Sequence, residues 1–415
     1  SGILRFNKIS KNFELLSTEN KYDPYKIPGA GFCLYEAGEG LWIGTYKGLH
    51  KFDQNKHFVR RIPLNIPVSY GLKVPSSMCL ESGRKQKDSL LWFASGYGDI
   101  FRFDLTKGSM AEIPSRLRPY CTGKVLPYNI FLSENRYLWS SSYKYGLFCY
   151  DLQADSFLYK PDYFRHTDKI LNISQDSEKR IWLGTLKGLY TFQPSVQHIP
   201  EQENAISKFL ESGNLSPSVH VFDIDNNGKI WIVKHDKINQ DPLLIRYDPH
   251  SKNVILFTAE QNKPLRDAGR INNIKAIRDG RIVLAGQNEF LIFKNSGDSI
   301  YFENINKGAF QFFGNCVHIE DDQQGNIFVN SDSGIYRYSD AATPVIQLNQ
   351  NNALIGEIPG APLLYSEFAS GLFIGDKDFL SFFKIDELNA TAQEEVRLTG
   401  ISIENFTPYL PVNNG

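Results

Sequence analysis

Cysteine is scarce. Five residues (33, 79, 121, 149 and 316) in a chain of 415 are an odd number with no Cys-x-x-Cys pair. A disulfide framework and a Cys-rich zinc module are thereby excluded, and the thiols read as small buried apolar side chains. No apolar run approaches the ~18 residues that a membrane helix needs, and no basic-then-apolar leader opens the chain. Excess charge is missing as well: Lys+Arg 45 against Asp+Glu 46 gives a formal net charge of −1. The basic surplus of a nucleic-acid binder is absent, so no nucleic-acid contact is expected. The sequence also lacks a G-x-S-x-G elbow, a P-loop, a dinucleotide fingerprint and H-E-x-x-H, and its eight histidines include no i, i+4 pair. Cofactor, metal site and catalytic residues are therefore all expected to be none. The ends at Ser1-Gly2 and Asn413-Asn414-Gly415 are read as edges of a piece of a longer protein. Membrane anchoring would then come only through segments outside it.

Aromatic residues, by contrast, make up 13% of the chain, and the apolar share is ordinary for a globular protein, which excludes disorder. The five tryptophans share one local setting: Leu41-Trp42-Ile43-Gly44-Thr45, Leu91-Trp92-Phe93, Leu138-Trp139-Ser140, Ile181-Trp182-Leu183-Gly184-Thr185 and Ile230-Trp231-Ile232. A polar or Gly-containing stretch follows each one. Then comes a second apolar strand, such as Gly48-Leu49-His50-Lys51-Phe52-Asp53. Three degenerate copies place Val283, Phe328 and Phe373 at the Trp position. The spacings along 42, 92, 139, 182, 231, 283, 328 and 373 are 50, 47, 43, 49, 52, 45 and 45 residues.

Periods in the forties built from short strands mean propeller blades. The expected fold is an all-β, β-propeller of four-stranded blades over residues 1–385. Each blade has an inner strand A, the Trp strand B, a strand C and an outer strand D. The large residue on strand B is expected to pack between neighbouring blades. Eight blades follow from counting cores, with seven, one copy standing outside the ring, as the alternative. Segment 3–15 and the last copy at 362–384, which lacks a D strand, are expected to complete one blade between them and close the ring. Residues His57–Ile62 are read as the D strand of the Trp42 unit.

The units at 41–53 and 181–192 closely resemble the two-component regulator propeller (Reg_prop) repeat, which builds the sensor region of hybrid two-component systems in gut Bacteroidetes. Val396-Arg397-Leu398-Thr399-Gly400-Ile401-Ser402-Ile403 resembles the first strand of the small β-sandwich (Y_Y_Y) domain that follows such propellers. Residues 386–415 are accordingly expected to be a linker and the truncated start of that domain. The resemblance implies a periplasmic, ligand-sensing ectodomain without catalytic activity. It would recognise a glycan-derived oligosaccharide and relay to a kinase outside this chain, with a homodimer formed through the full-length receptor. A propeller lyase or hydrolase and a pure protein-interaction scaffold are the competing classes.

Asp223-x-Asp225-x-Asn227-Gly228 mimics half a calcium loop, but Lys234 stands where a bidentate Glu is needed, so it reads as a recurring A–B turn. The connections from strand D to the next strand A are long, among them 114–127 and 161–169. Long loops concentrate function, and these share a face with the B–C turns. Aromatic rings flanked by cations and hydroxyls suit a sugar. The expected ligand-binding residues are Arg116, Arg118, Tyr120, Lys124, Tyr143, Lys144, Tyr145, Tyr163, Arg165 and His166.

Overall fold

The computed structural model describes backbone for strands between Leu4 and Lys384, and side chains for most of residues 90–385. Segments 53–59, 64–74, 83–88, 96–98, 123–126, 165–168, 195–199, 237–239, 305–315, 339–345, 349–361 and 386–415, with several shorter ones, lie outside the described residues. The expected linker and sandwich strand at 386–415 therefore fall outside them.

Strand B explains the architecture. Ile181–Thr185, Ile282–Gly286 and Ile327–Ser331 are buried along their whole length. A strand covered on both faces reads as a continuous apolar run, unlike the alternation of a half-solvated one. Each therefore needs a sheet on either side, and radial repetition of short antiparallel sheets supplies both.

Seven four-stranded sheets do so. Blade 1 comprises strands A to D at Pro75–Ser82, Ser89–Ser95, Ile100–Asp104 and Ser109–Met110; blade 2 comprises Pro127–Ser133, Tyr137–Ser142, Gly146–Asp151 and Ser156–Phe164. Blade 3 spans Ile170–Gln175 to Glu201–Gln202, blade 4 Val221–Ile224 to Val254–Thr258, blade 5 Ile271–Ala276 to Ser299–Asn304 and blade 6 Cys316–Asp321 to Ile346–Leu348. In blade 7, Leu363–Ser366, Gly371–Asp376 and Phe379–Lys384 take their fourth strand from far upstream: Arg60–Pro63 pairs antiparallel with strand C, Leu380 opposite Ile62 and Phe382 opposite Arg60. Each strand A lies beside the next, and that of blade 7 lies beside that of blade 1, so the seven inner strands close a ring.

The sheets thus match the second of the two counts the repeat allowed. The Trp42 copy forms a three-stranded sheet, Gly31–Ala37, Gly40–Thr45 and Gly48–Phe52. Closure by an upstream strand is as expected, but the strand differs. Segment 3–15 contributes a two-stranded hairpin, Leu4–Phe6 with Phe13–Leu15. The strand read as the outer edge of the Trp42 unit closes blade 7 instead. An outer strand has the same pattern wherever it pairs, so periodicity alone cannot assign its partner.

The four described tryptophans, 92, 139, 182 and 231, are at most 2% exposed. Each packs against the following blade, as Trp182 does on Phe222, Ile230 and Ile232. The A–B turns hold their indoles. Asp176 accepts backbone N–H groups of Glu178 and Arg180 on Oδ1 and Trp182 Nε1 on Oδ2 at 2.8 Å. Asp225 repeats this with Asn227, Lys229 and Trp231. Blade 2 uses Ser133 Oγ for Trp139 Nε1. In blade 5 the Asp position is Ile277 and the Trp position Val283, both buried, so acceptor and donor are lost together. The calcium-like pattern is thus a turn whose carboxylate is already filled. Gly184 follows the same logic, because a Cβ there would stand 2.6 Å from the Val219 carbonyl of blade 4.

Candidate functional site

The long connections do more than decorate one face. Segment 114–121 coils from a turn at Pro114 into a 3-10 turn, Arg118–Tyr120, and its Leu117 and Cys121 are fully buried. They fill the wedge between blades 1 and 2 with Trp92, Ile130, Phe148 and Tyr150. Ile100 N–H donates to Cys121 O at 2.9 Å, which ties the end of the segment to strand C of blade 1. Helix α1 (Asn204–Ser212) places Ile206 and Leu210 between blades 3 and 4 in the same way. Helix α2 (Lys263–Asp267) places Leu265 between blades 4 and 5. Part of the length of these connections is therefore accounted for by packing.

The polar residues of segment 114–121 stay outside. Arg116 and Arg118 are exposed while Tyr120 is half-buried. Arg116 Nη1 donates to Asp155 O at 3.1 Å, and Arg118 Nη2 reaches Glu112 Oε1 at 2.7 Å. The Tyr120 ring stands edge-on to Tyr145 at 5.2 Å and to Phe157 at 5.1 Å. Tyr145 donates its hydroxyl to Pro119 O at 3.4 Å, and its backbone N–H donates to Ser142 Oγ. Lys144 Nζ lies 4.9 Å from the Tyr145 ring centroid, within cation–π range.

The blade 1 to blade 2 connection thus meets the B–C turn of blade 2, bringing Arg116, Arg118, Tyr120, Lys144 and Tyr145 together. Tyr163 belongs to strand D of blade 2, which continues to Phe164 opposite Leu147; residues 161–164 are strand where a loop was expected. That register carries Tyr163 toward the strand end next to Tyr145. Lys124, Tyr143, Arg165 and His166 lie outside the described residues.

A second cationic grouping, unremarked as a cluster in the sequence, sits where blades 4 and 5 adjoin. Lys234 and His235 end strand B of blade 4, Ile230–His235. Lys234 Nζ donates to Ser216 O at 2.6 Å and to Ser218 O. His235 Nε2 accepts the Ile271 N–H at 3.2 Å, so this imidazole is neutral with its proton on Nδ1. Burial pushes the Lys234 ammonium down to about 8. Only three-dimensional folding brings residues 216–220, 234–236 and 270–271 together, and no local motif announces it.

The inner strands carry a third polar set. Asn129 Nδ2 donates to Asn172 Oδ1, Asn172 Nδ2 to Phe222 O, Ala276 N–H to Asp223 Oδ2 and Lys275 Nζ to Glu320 Oε2. These bonds join successive blades around the axis. Burial raises the Asp223 carboxyl above its ordinary range, and Glu320 raises Lys275. His318 beside them is pushed down to about 4 by burial and by the Lys275 charge.

Comparison with solved structures agrees with the ring. The chain is similar to the extracellular domain of a protein of B. thetaiotaomicron described as a hybrid two-component system, with a TM-score of 0.62 at 16% identity over 94% of this chain and 52% of that one. A second such domain from the same organism gives 0.57 at 14% identity over 92% and 50%. The WD40 repeats of RRP9 give 0.56 at 12% identity over 79% and 97%. The class is therefore a β-propeller. The particular neighbours first named are extracellular sensor-system domains, and this chain spans about half their length. No family model matches the sequence, and no curated protein does.

Proposed function

We propose that this chain is the ligand-sensing part of a periplasmic receptor ectodomain of the hybrid two-component type, recognising a glycan-derived oligosaccharide and performing no catalysis itself. The observation that carries the proposal is the junction of blades 1 and 2. There Tyr120 and Tyr145 stand together, flanked by Arg116, Arg118 and Lys144. Rings of this kind cover the C–H face of a sugar, and the cations serve its hydroxyl or carboxylate groups. The fold likeness to extracellular domains of two-component systems supports the reading. Lys124, Tyr143, Tyr163, Arg165 and His166 extend the proposed surface along the same arc. Relay to a kinase and pairing of receptors would involve parts beyond this chain.

A panel of oligosaccharides screened by thermal shift tests the proposal, since a specific ligand stabilises by mass action. With a hit in hand, Arg118→Ala is expected to cost about tenfold in affinity, the scale of a charge-assisted contact worth ~1.5–3 kcal/mol. Stability should barely change, because the Arg118–Glu112 pair is exposed. Unchanged affinity in both Arg118→Ala and Tyr145→Ala would place the site elsewhere. Metal-dependent cleavage of a glycan by the purified chain would establish an enzyme instead.

A further inference from the structure

We propose that the rim between blades 4 and 5 holds an anion site, formed by Lys234, His220, His235 and Arg270, that takes a sulfate or carboxylate group. Two hydrogen bonds assemble it. The Lys234 ammonium bonded to the carbonyls of Ser216 and Ser218 brings His220 alongside, and the His235 ring bonded to the Ile271 N–H brings Arg270 alongside. Capping those carbonyls accounts for the burial of Lys234, but for neither histidine nor Arg270. Ser218 Oγ is buried in the same place without a hydrogen-bond partner among the described residues, a hydroxyl donor still unused.

The electrostatics around the four side chains are one-signed. Partial desolvation and the Lys234 charge lower His220, while burial, Arg270 and Lys234 lower His235. Asp236 is the carboxylate that acts against them, and its Oδ2 already accepts the Asp241 N–H at 2.8 Å. Among the described residues, none of the four basic groups forms an ion pair with a carboxylate. Cations gathered without counter-charge repel one another, and a bound oxyanion relieves that repulsion while accepting from His235 Nδ1–H, Lys234 and Arg270. Anion binding must therefore raise both histidine pKa values and tighten as pH falls. The site stands on its own residues; only its use in sensing rests on the receptor reading above.

The test is a histidine NMR titration of the whole chain with sodium sulfate, sodium glucuronate and, at matched ionic strength, sodium chloride. His220→Gln and His235→Gln assign the two resonances. Sulfate or glucuronate, but not chloride, should move both and raise both pKa values. Affinity should be greater at pH 5.5 than at pH 8. The exposed Arg270→Gln should weaken binding about tenfold without altering the fold, and it remains informative if Lys234→Met fails to fold. A response to sulfate alone assigns the site to inorganic or ester sulfate, and one to glucuronate alone to a sugar acid. Equal responses to all three salts, or binding untouched by Arg270→Gln, would overturn the inference. A chain that binds a neutral oligosaccharide but neither anion would overturn it too, while leaving the receptor reading in place.

Discussion

An indole N–H buried between two sheets must find an acceptor, or it costs the desolvation of an unpaired donor, ~1–3 kcal/mol. Asp176 and Asp225 answer that need and at the same time build the turn that precedes the indole. Trp and Asp are thus one unit, six residues apart, and blade 5 drops both for Ile277 and Val283. Trp182→Ala is expected to destabilise by ~3–5 kcal/mol through the cavity it leaves, measured by denaturant unfolding. Asp176→Ala should cost less. The double substitution should cost less than the sum, because each single change strands the other's partner. Strict additivity would mean that the bond contributes nothing. The B–C turns have a matching device: Thr185 Oγ1 donates to Gly188 O, and Ser331 Oγ to Gly334 O. This accounts for the Thr or Ser, and for the Gly three residues on, that the repeat shows in sequence.

At the scale of elements, the strands were legible because period and composition agree over short runs. The inner face, Trp strand and third strand of each blade fell where the repeat placed them. The outer strands were the weak point. Ser156–Phe164 runs four residues past its expected end, and Arg60–Pro63 leaves its own repeat for blade 7. The helices in the long connections were missed because nine and five residues offer little periodicity, and their burial depends on a wedge that only two adjacent blades create. The arc at Arg116 to Tyr145 was legible from connection order alone, whereas Lys234 and His220 meet only through the backbone carbonyls between them. The closing strand gives a direct test. A chain beginning at residue 64 should expose the edge of Phe379–Lys384, lose cooperative unfolding and self-associate in light scattering. One beginning at residue 54 keeps Arg60–Pro63 and should unfold as one unit. Equal behaviour of the two would remove that strand from the ring.

For the whole molecule, the polar seam along the inner strands makes stability depend on pH. His318 is held neutral in the folded state, its pKa near 4 against 6.5 in an unfolded chain. Its contribution is intact above pH 6.5. It is lost as pH falls toward 4, because the unfolded chain takes up a proton that the folded one refuses. The loss amounts to at most ~3 kcal/mol. Melting temperature should therefore drop between pH 6.5 and 4, and His318→Gln should flatten that slope. An unchanged slope would show that other groups govern it. Composition and repeat predicted the ring as a whole, but the count needed the pairing of its two ends.

That pairing has a temporal side. Pro63 and its partner Phe379 are 316 positions apart in the chain (379 − 63). At ~5–20 residues per second, a ribosome needs roughly 16–60 s to travel between them. Throughout that interval the strand that will seal the ring is already made and has nothing to seal. The six blades between must form as an open arc, with an unpaired inner edge at each end. Such an arc is a template for wrong partners, above all the Arg60–Pro63 segment of a neighbouring nascent chain. Exchange of this one strand between two copies is the misassembly to which this topology is most exposed.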